Sequence, residues 1–178
     1  RLRKHGIKIP VMIMYPGLNN LKSIIANDLE PTIYSLPMLN KLILESKKIT
    51  KNIYFHLKID TGMKRYGLEE TELITVAKNL KKHKRLRIKS IFSHLASSNQ
   101  NKEKEFTINQ INKLKSQKLA LETVISYDIK CHILNSHGVL NFLESHFDMV
   151  RIGLGLYYGM NDKNTRCIAE LKSSISQI

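Results

Sequence analysis

His56-Leu57-Lys58-Ile59-Asp60-Thr61-Gly62-Met63-Lys64-Arg65-Tyr66-Gly67-Leu68 starts as an apolar strand and ends in a polar, glycine-bearing turn. Lys58, Asp60 and Arg65 fall where that strand should stop. Strand ends with this chemistry are where barrels of parallel strands keep their active sites. The stretch decides the fold only if strands and helices alternate on both sides of it.

They do. Residues 7–15 read as an apolar strand closed by Pro16-Gly17, and 21–29 as a helix. A short strand over 30–36 leads to Pro37, which suits the first position of a helix over 38–46. Strands follow at 52–59, 87–94, 130–134 and 147–152, with helices at 69–82, 102–126 and 138–145. Leu73, Val76, Ala77 and Leu80 mark one face of the first of these helices. In the second, the stripe Ile111, Leu114, Lys118, Leu121, Ile125 has Lys118 as its polar exception. Strands alternating with helices imply parallel βα units with right-handed crossovers. Units of ~30 residues match the spacing of a (β/α)₈ barrel. The expected fold class is therefore α/β: about six βα units of such a barrel over residues 1–160. A linker and the first strand of a C-terminal β domain are expected over 161–178.

Composition narrows the function classes. The chain has 178 residues, 42% hydrophobic and 25% charged, which is ordinary for a globular protein. It holds no run of ~18 apolar residues, so no membrane partner is expected. Residues 1–5 are basic, but no apolar segment and cleavage site follow as in a secretory signal. Cys131 and Cys167 show neither metal spacing nor a disulfide framework, so no metal and a cytoplasmic location are expected. The net charge of +14 raises a nucleic-acid reading. Its densest run, Lys81-Lys82-His83-Lys84-Arg85-Leu86-Arg87, lacks interleaved aromatic residues for base stacking. The many Lys, Asn and Ile residues look instead like the bias of an A+T-rich genome, and no nucleic-acid partner is expected.

Polar groups close four successive strands. The third delivers Lys58, Asp60 and Arg65; the fourth Ser93-His94; the fifth His132 and Asn135-Ser136-His137-Gly138; the sixth Arg151 and Gly153-Leu154-Gly155. One strand-end histidine is usually a structural residue. Four consecutive polar ends converge on one barrel mouth. Gly153 and Gly155 let backbone amides approach a ligand, and loops after the last barrel strands are the usual phosphate site. Ser136 has a hydroxyl to donate to the same phosphate. Glycines that merely bend a strand would leave Arg151 without a role.

The stretch 56–68 resembles the alanine racemase motif: strand, Lys, any residue, Asp-Thr-Gly-Met, any residue, Arg, any residue, Gly. Ser93-His94, Cys131-His132 with Asn135-Ser136, and Asp148-Met149-Val150-Arg151-Ile152-Gly153 match further blocks of that family in order. The resemblance implies a pyridoxal 5'-phosphate (PLP) enzyme, a homodimer of barrel plus β domain. It would interconvert L- and D-alanine for peptidoglycan precursors. It implies that Arg151 faces the pyridine nitrogen, and that Ser136 and the backbone of Gly153 and Leu154 bind the phosphate, flanked by Asn135. It further implies that His132 supports Arg151 and that His94 lies near the cofactor. Arg65 would point at the cofactor's phenolic oxygen and the substrate carboxylate. Lys58 is expected to be carbamylated (an N6-carboxylysine), forming an anion that pairs with Arg65.

The family's Schiff-base lysine block and the tyrosine of its β domain do not occur in this sequence. Lys4, Lys8, Lys22, Lys41, Lys47 and Lys48 read as surface positions. A central portion of the family pattern, inactive alone, is the expectation. Tyr157-Tyr158-Gly159 departs from the family's single Tyr before Gly. Alternatives kept open are a PLP-barrel relative acting on another amino acid, a PLP carrier, and a basic nucleic-acid-binding remnant.

Overall fold

Among the described residues, each strand after the first pairs with the strand that precedes it. The computed structural model describes residues 1–157, 160, 165–170 and 172–174. One sheet runs in the order β1 (Met12–Ile13), β2 (Glu30–Ile33), β3 (Ile53–Lys58), β4 (Leu86–Phe92), β5 (Lys130–His132), and all four pairings are parallel. The crossovers carry α1 (Leu21–Ala26), α2 (Leu36–Ser46), α3 (Glu70–Lys82) and α4 (Lys104–Ile125). α5 (Ser136–Asn141) and α6 (Leu154–Tyr157) follow β5. Strictly sequential strand order is that of a barrel sheet, whereas a doubly wound sheet reverses at a switch point. The fold is α/β, part of a barrel.

Strand side chains alternate between faces, and here the faces differ in chemistry. Ile33, Phe55, Leu57, Ile59, Ile91 and Cys131 join the apolar core with Leu39 and Leu42 of α2, Leu73, Val76 and Leu80 of α3, and Ile111, Leu114 and Leu121 of α4. The intervening positions Thr32, His56, Lys58, Ser90, Phe92 and His132 are also buried but mostly polar. That second, polar face carries the site.

Local chemistry fixes the element ends. Ser35 caps α2 by accepting a hydrogen bond from the Met38 amide, with Pro37 in the first turn. Glu69 and Glu72 form a reciprocal capping box at α3. Asn135 caps α5 through the Gly138 amide at 2.9 Å, so this helix starts before the expected residue 138. α4 ends where Ser126 turns left-handed at φ 60°. Its buried stripe is Thr107, Gln110, Ile111, Leu114, Gln117 and Leu121. Lys118, the exception in the sequence pattern, sits at the edge of that stripe and pairs with Glu122 at 2.6 Å.

Two expected strands differ. The first is reduced to Met12–Ile13. Pro10 offers no amide proton, and the Arg3 guanidinium takes the carbonyls of Ile7 (2.6 Å) and Ile9 (2.9 Å) that a ladder would need. Residues 147–152 form no sixth strand. Phe147 enters the segment left-handed at φ 48°, and the Asp148 carboxylate takes the Cys131 amide at 2.7 Å. Only spaced bonds remain, Asp148 N–H to Cys131 O and Arg151 N–H to Leu134 O. Of the linker and first β-domain strand expected over 161–178, residues 161–164, 171 and 175–178 lie outside the described residues, and the described ones carry no strand. Tyr158 and Gly159 also lie outside them. Among the described residues, no helix is long and apolar enough to cross a membrane.

Candidate active site

The loop after β3 is held by its own side chains. Asp60 Oδ1 accepts the amides of Gly62 (2.8 Å) and Lys64 (3.2 Å), an Asx-type turn. The loop closes where Asp60 N–H meets Leu68 O and Leu68 N–H meets Lys58 O. Gly62, Lys64, Tyr66 and Gly67 all have positive φ, a concentration of strain typical of functional loops. At Gly67 a β-carbon would lie 2.6 Å from Asp60 N. Inside the loop, buried Lys58 donates from Nζ to the carbonyls of Tyr66 (2.7 Å) and Arg65 (3.3 Å). Burial pulls the Lys58 ammonium down to about 8; Asp60 opposes this, while Arg65 and Arg151 add to it. Tyr66 packs on Tyr15 and Tyr34, with ring centroids 5.3 and 5.2 Å away.

Arg151 closes the other side. It donates from Nη1 to His132 Nδ1. Its Nη2 donates to Ser93 O at 2.6 Å, with His94 Nδ1 at 3.3 Å and Ile133 O at 3.4 Å. The guanidinium lies 5.0 Å from the Phe92 ring centre, and Phe92 stacks on His132 at 4.8 Å. Burial first, then the Arg151 charge, depresses His132 to about 3 and His94 to about 4. Both imidazoles are therefore neutral at physiological pH. Arg151 is lowered by burial to about 10 and stays cationic.

At the third side, Ser136 Oγ accepts the amides of Gly153 and Gly155, each at 3.1 Å. The Ser136 hydroxyl proton is left to donate. A β-carbon built at Gly153 meets nothing within 4 Å, so open space adjoins this backbone, while its amide is engaged by Ser136. Tyr15, Arg65, His94, Asn135, Ser136, Arg151, Gly153 and Leu154 line one cavity of about 470 Å³. With Lys58 behind Arg65, its cations outnumber Asp60, and the cavity favours an anion.

Seven of the nine candidate site residues from the sequence, Arg65, His94, Asn135, Ser136, Arg151, Gly153 and Leu154, line that space, and Lys58 and His132 do not. The structure places them as follows. Asn135 points at its own helix: besides capping α5 it accepts from Ser98 Oγ at 2.7 Å. His132 lies behind Arg151 and does not line the cavity. Lys58 lies behind the loop and meets the Arg65 backbone, not its guanidinium. Lys4, Lys8, Lys22, Lys47 and Lys48 are exposed and Lys41 is half-buried.

Three contributors escaped the sequence reading. Tyr15 lines the cavity. Gln110 of α4, fully buried, accepts the Ala96 amide at 3.0 Å and donates to His94 O at 3.1 Å and Thr61 Oγ1 at 3.4 Å. It ties the β3 and β4 loops together, and Thr61 reinforces the tie through Ser93 Oγ at 2.8 Å. Ser90 of β4 sits between two histidines. The available signal was polarity at apolar positions: Gln110 on the buried stripe of α4, and Ser90 between Lys89 and Ile91.

Comparison with known proteins gives the chain a family. Residues 1–161 match the family model described as alanine racemase, N-terminal domain. The alanine racemase of Treponema denticola is 31% identical over 174 residues, 96% of this chain and 46% of that protein. That of Methanococcus maripaludis is 32% identical over 159 residues, 88% of this chain and 42% of its own. A solved alanine racemase of Clostridium difficile superposes with a TM-score of 0.80 at 25% identity, over 92% of this chain and 43% of its own. The chain thus spans under half the length of these relatives. It belongs to the alanine racemase N-terminal domain family.

Proposed function

We propose that this chain is the PLP-holding barrel portion of an alanine racemase, an isomerase that interconverts L- and D-alanine. The observation that carries the reading is the cavity in which Arg151, Arg65 and the Ser136–Gly153 cradle converge. The residues fit the cofactor by the chemistry of their donors. A phosphate needs donors with close backbone approach: the Ser136 hydroxyl proton is free to donate, Gly153 leaves room for that approach, and the backbone of Gly153 and Leu154 would border the phosphate. A pyridine nitrogen beside Arg151 would meet a donor that cannot give up its proton, and so would stay unprotonated.

Bound PLP supplies the electron sink that lets the substrate α-carbon lose its proton. The chain's residues do the rest. Arg151 presents N–H groups and is oriented by His132, Ser93 O and His94. The neutral imidazoles of His94 and His132 add no positive charge to its surroundings. Arg65 offers a cation for the cofactor's phenolic oxygen or a substrate carboxylate. Asn135 flanks the phosphate cradle by holding α5 in register. Lys58, with its lowered proton affinity, is a candidate for carbamylation by CO₂, because only a neutral amine reacts. The carbamate would be an anion within reach of the Arg65 loop.

Among the described residues, no lysine lines the cavity. These 178 residues alone are therefore expected to bind PLP non-covalently and not to racemise alanine. Activity, D-alanine supply to peptidoglycan precursors in the cytoplasm, and homodimer formation belong to the reading for the full protein. So does the division at about residue 160 into barrel and β domain. Equilibrium binding tests the cradle. Replacing Ser136 with Ala should weaken PLP binding by roughly tenfold, the value of one charge-assisted hydrogen bond, and leave pyridoxal binding unchanged. Equal losses for both ligands would overturn the cradle assignment.

A further inference from the structure

Behind Arg151 runs a buried chain of hydrogen bonds that crosses the sheet with one residue from each of four adjacent strands. His132 of β5 meets Ser90 Oγ of β4 through Nε2 at 3.0 Å. Ser90 Oγ meets His56 Nδ1 of β3 at 2.6 Å. His56 Nε2 meets Glu30 Oε2 of β2 at 2.9 Å, and the other Glu30 oxygen takes Lys89 Nζ. Ser90, His132 and His56 are all buried, and the Glu30 side chain is 14% exposed.

The ends of this chain dictate its direction. Arg151 only donates, so His132 Nδ1 must accept. The His132 proton then sits on Nε2 and is donated to Ser90. Ser90, already accepting, donates to His56 Nδ1. The His56 proton therefore sits on Nε2 and goes to Glu30, which as a carboxylate only accepts. Every link points from the cation to the anion; with neutral rings, a reversed link would set two donors face to face at Arg151 or two acceptors face to face at Glu30. Among the described residues no carboxylate pairs directly with Arg151. The polarised chain brings it a distant counter-charge.

We infer that Glu30, His56 and Ser90 are positioning residues for Arg151, fixing His132 as its acceptor through a one-way relay anchored by the Glu30 carboxylate. The effect on a bound pyridine rests on the function proposed above; the direction of the relay does not. Neither His56 nor His132 is then free to act as a proton donor to a ligand in the cavity, since each Nε2 proton faces the sheet interior.

Long-range proton–nitrogen NMR on histidine-¹⁵N-labelled protein reads the ring tautomers directly. Both His56 and His132 are expected as the neutral Nε2–H form. An Nδ1–H or doubly protonated ring at either position at pH 7 overturns the relay. Glu30→Gln keeps an acceptor oxygen but removes the charge. It should preserve both tautomers, shift the His132 ring nitrogens, and weaken PLP binding by roughly tenfold, a common size for coupling between sites. Glu144→Gln, an exposed control, should do none of this. Unmoved His132 resonances in Glu30→Gln would also overturn the relay. Absence of PLP binding by the unsubstituted protein would instead count against the proposed function, with the tautomers still deciding the relay.

Discussion

Gly67 and Lys58 carry the sharpest demands at the level of single residues. Gly67 sits at φ 138°, and the backbone of Ile59 and Asp60 occupies the space a β-carbon would need. Gly67→Ala should cost roughly 3 kcal/mol or more, because a β-carbon must displace backbone and adopt a forbidden region. Urea unfolding checks this; a cost within the ordinary surface range of about 0.5 kcal/mol would contradict it. Lys58 has a folded-state proton affinity near 8 against 10.5 for the free side chain. Between these values the unfolded chain binds the extra proton, so stability rises with pH. Relative to Lys58→Met, the unsubstituted protein should gain about 3 kcal/mol between pH 7.5 and 10.5, at about 1.4 kcal/mol per pH unit. A flat difference across that window would show that the ammonium is solvated. The motif named Lys58 as important from sequence, and the family resemblance implied a carbamate paired with Arg65. Only the fold shows that it serves the loop carbonyls.

Among the elements, β3, β4, α2, α3 and α4 were legible from the sequence because apolar period and caps agree there. β1 and the segment after α5 were not. Arg3 replaces the ladder at residues 7–9, and the Asp148 side chain replaces it at Cys131; side chains competing for backbone groups leave no mark in apolar alternation. The polar face of the sheet was half legible. His132 and Arg151 stood out as strand-end groups, whereas Ser90 and Gln110 gain meaning only across strands and from α4. Gln110→Ala should destabilise the protein by about 2–3 kcal/mol, since it strands the buried Ala96 amide. It should also loosen PLP binding, because the β3 and β4 loops lose their tie; unchanged stability would contradict the bridge. The buried imidazoles set an acid limit. His132 and His94, near 3 and 4 when folded and 6.5 when free, favour the folded state fully above pH 6.5. That contribution fades as pH falls toward 3–4, at about 1.4 kcal/mol per unit for each group. Replacing His132 with Gln should flatten the acid limb measured by thermal melting, and an unchanged slope would contradict its neutral burial.

At the scale of the molecule, the described residues form a five-stranded parallel sheet whose edges are β1 and β5. Beyond β5, Met149, Val150, Ile152, Leu154, Leu156 and Tyr157 are exposed. Unpaired edges beside such a surface favour association, so the 178-residue polypeptide should self-associate or melt broadly. A sharp, reversible monomeric transition by calorimetry and light scattering would contradict this. Its +14 charge is spread over helix surfaces and the loop before β4, whereas the cavity gathers Arg65 and Arg151 with neutral histidines. The cavity is proposed to hold a phosphorylated pyridine. Titration of the protein with PLP and, separately, with pyridoxal, followed by ligand absorbance, tests it most directly. Saturable PLP binding that is lost in Arg151→Ala is expected, with pyridoxal binding weaker by tenfold or more, as for a phosphate held by several charge-assisted bonds. Equal affinity for the two ligands, or PLP binding that survives Arg151→Ala unchanged, would contradict it.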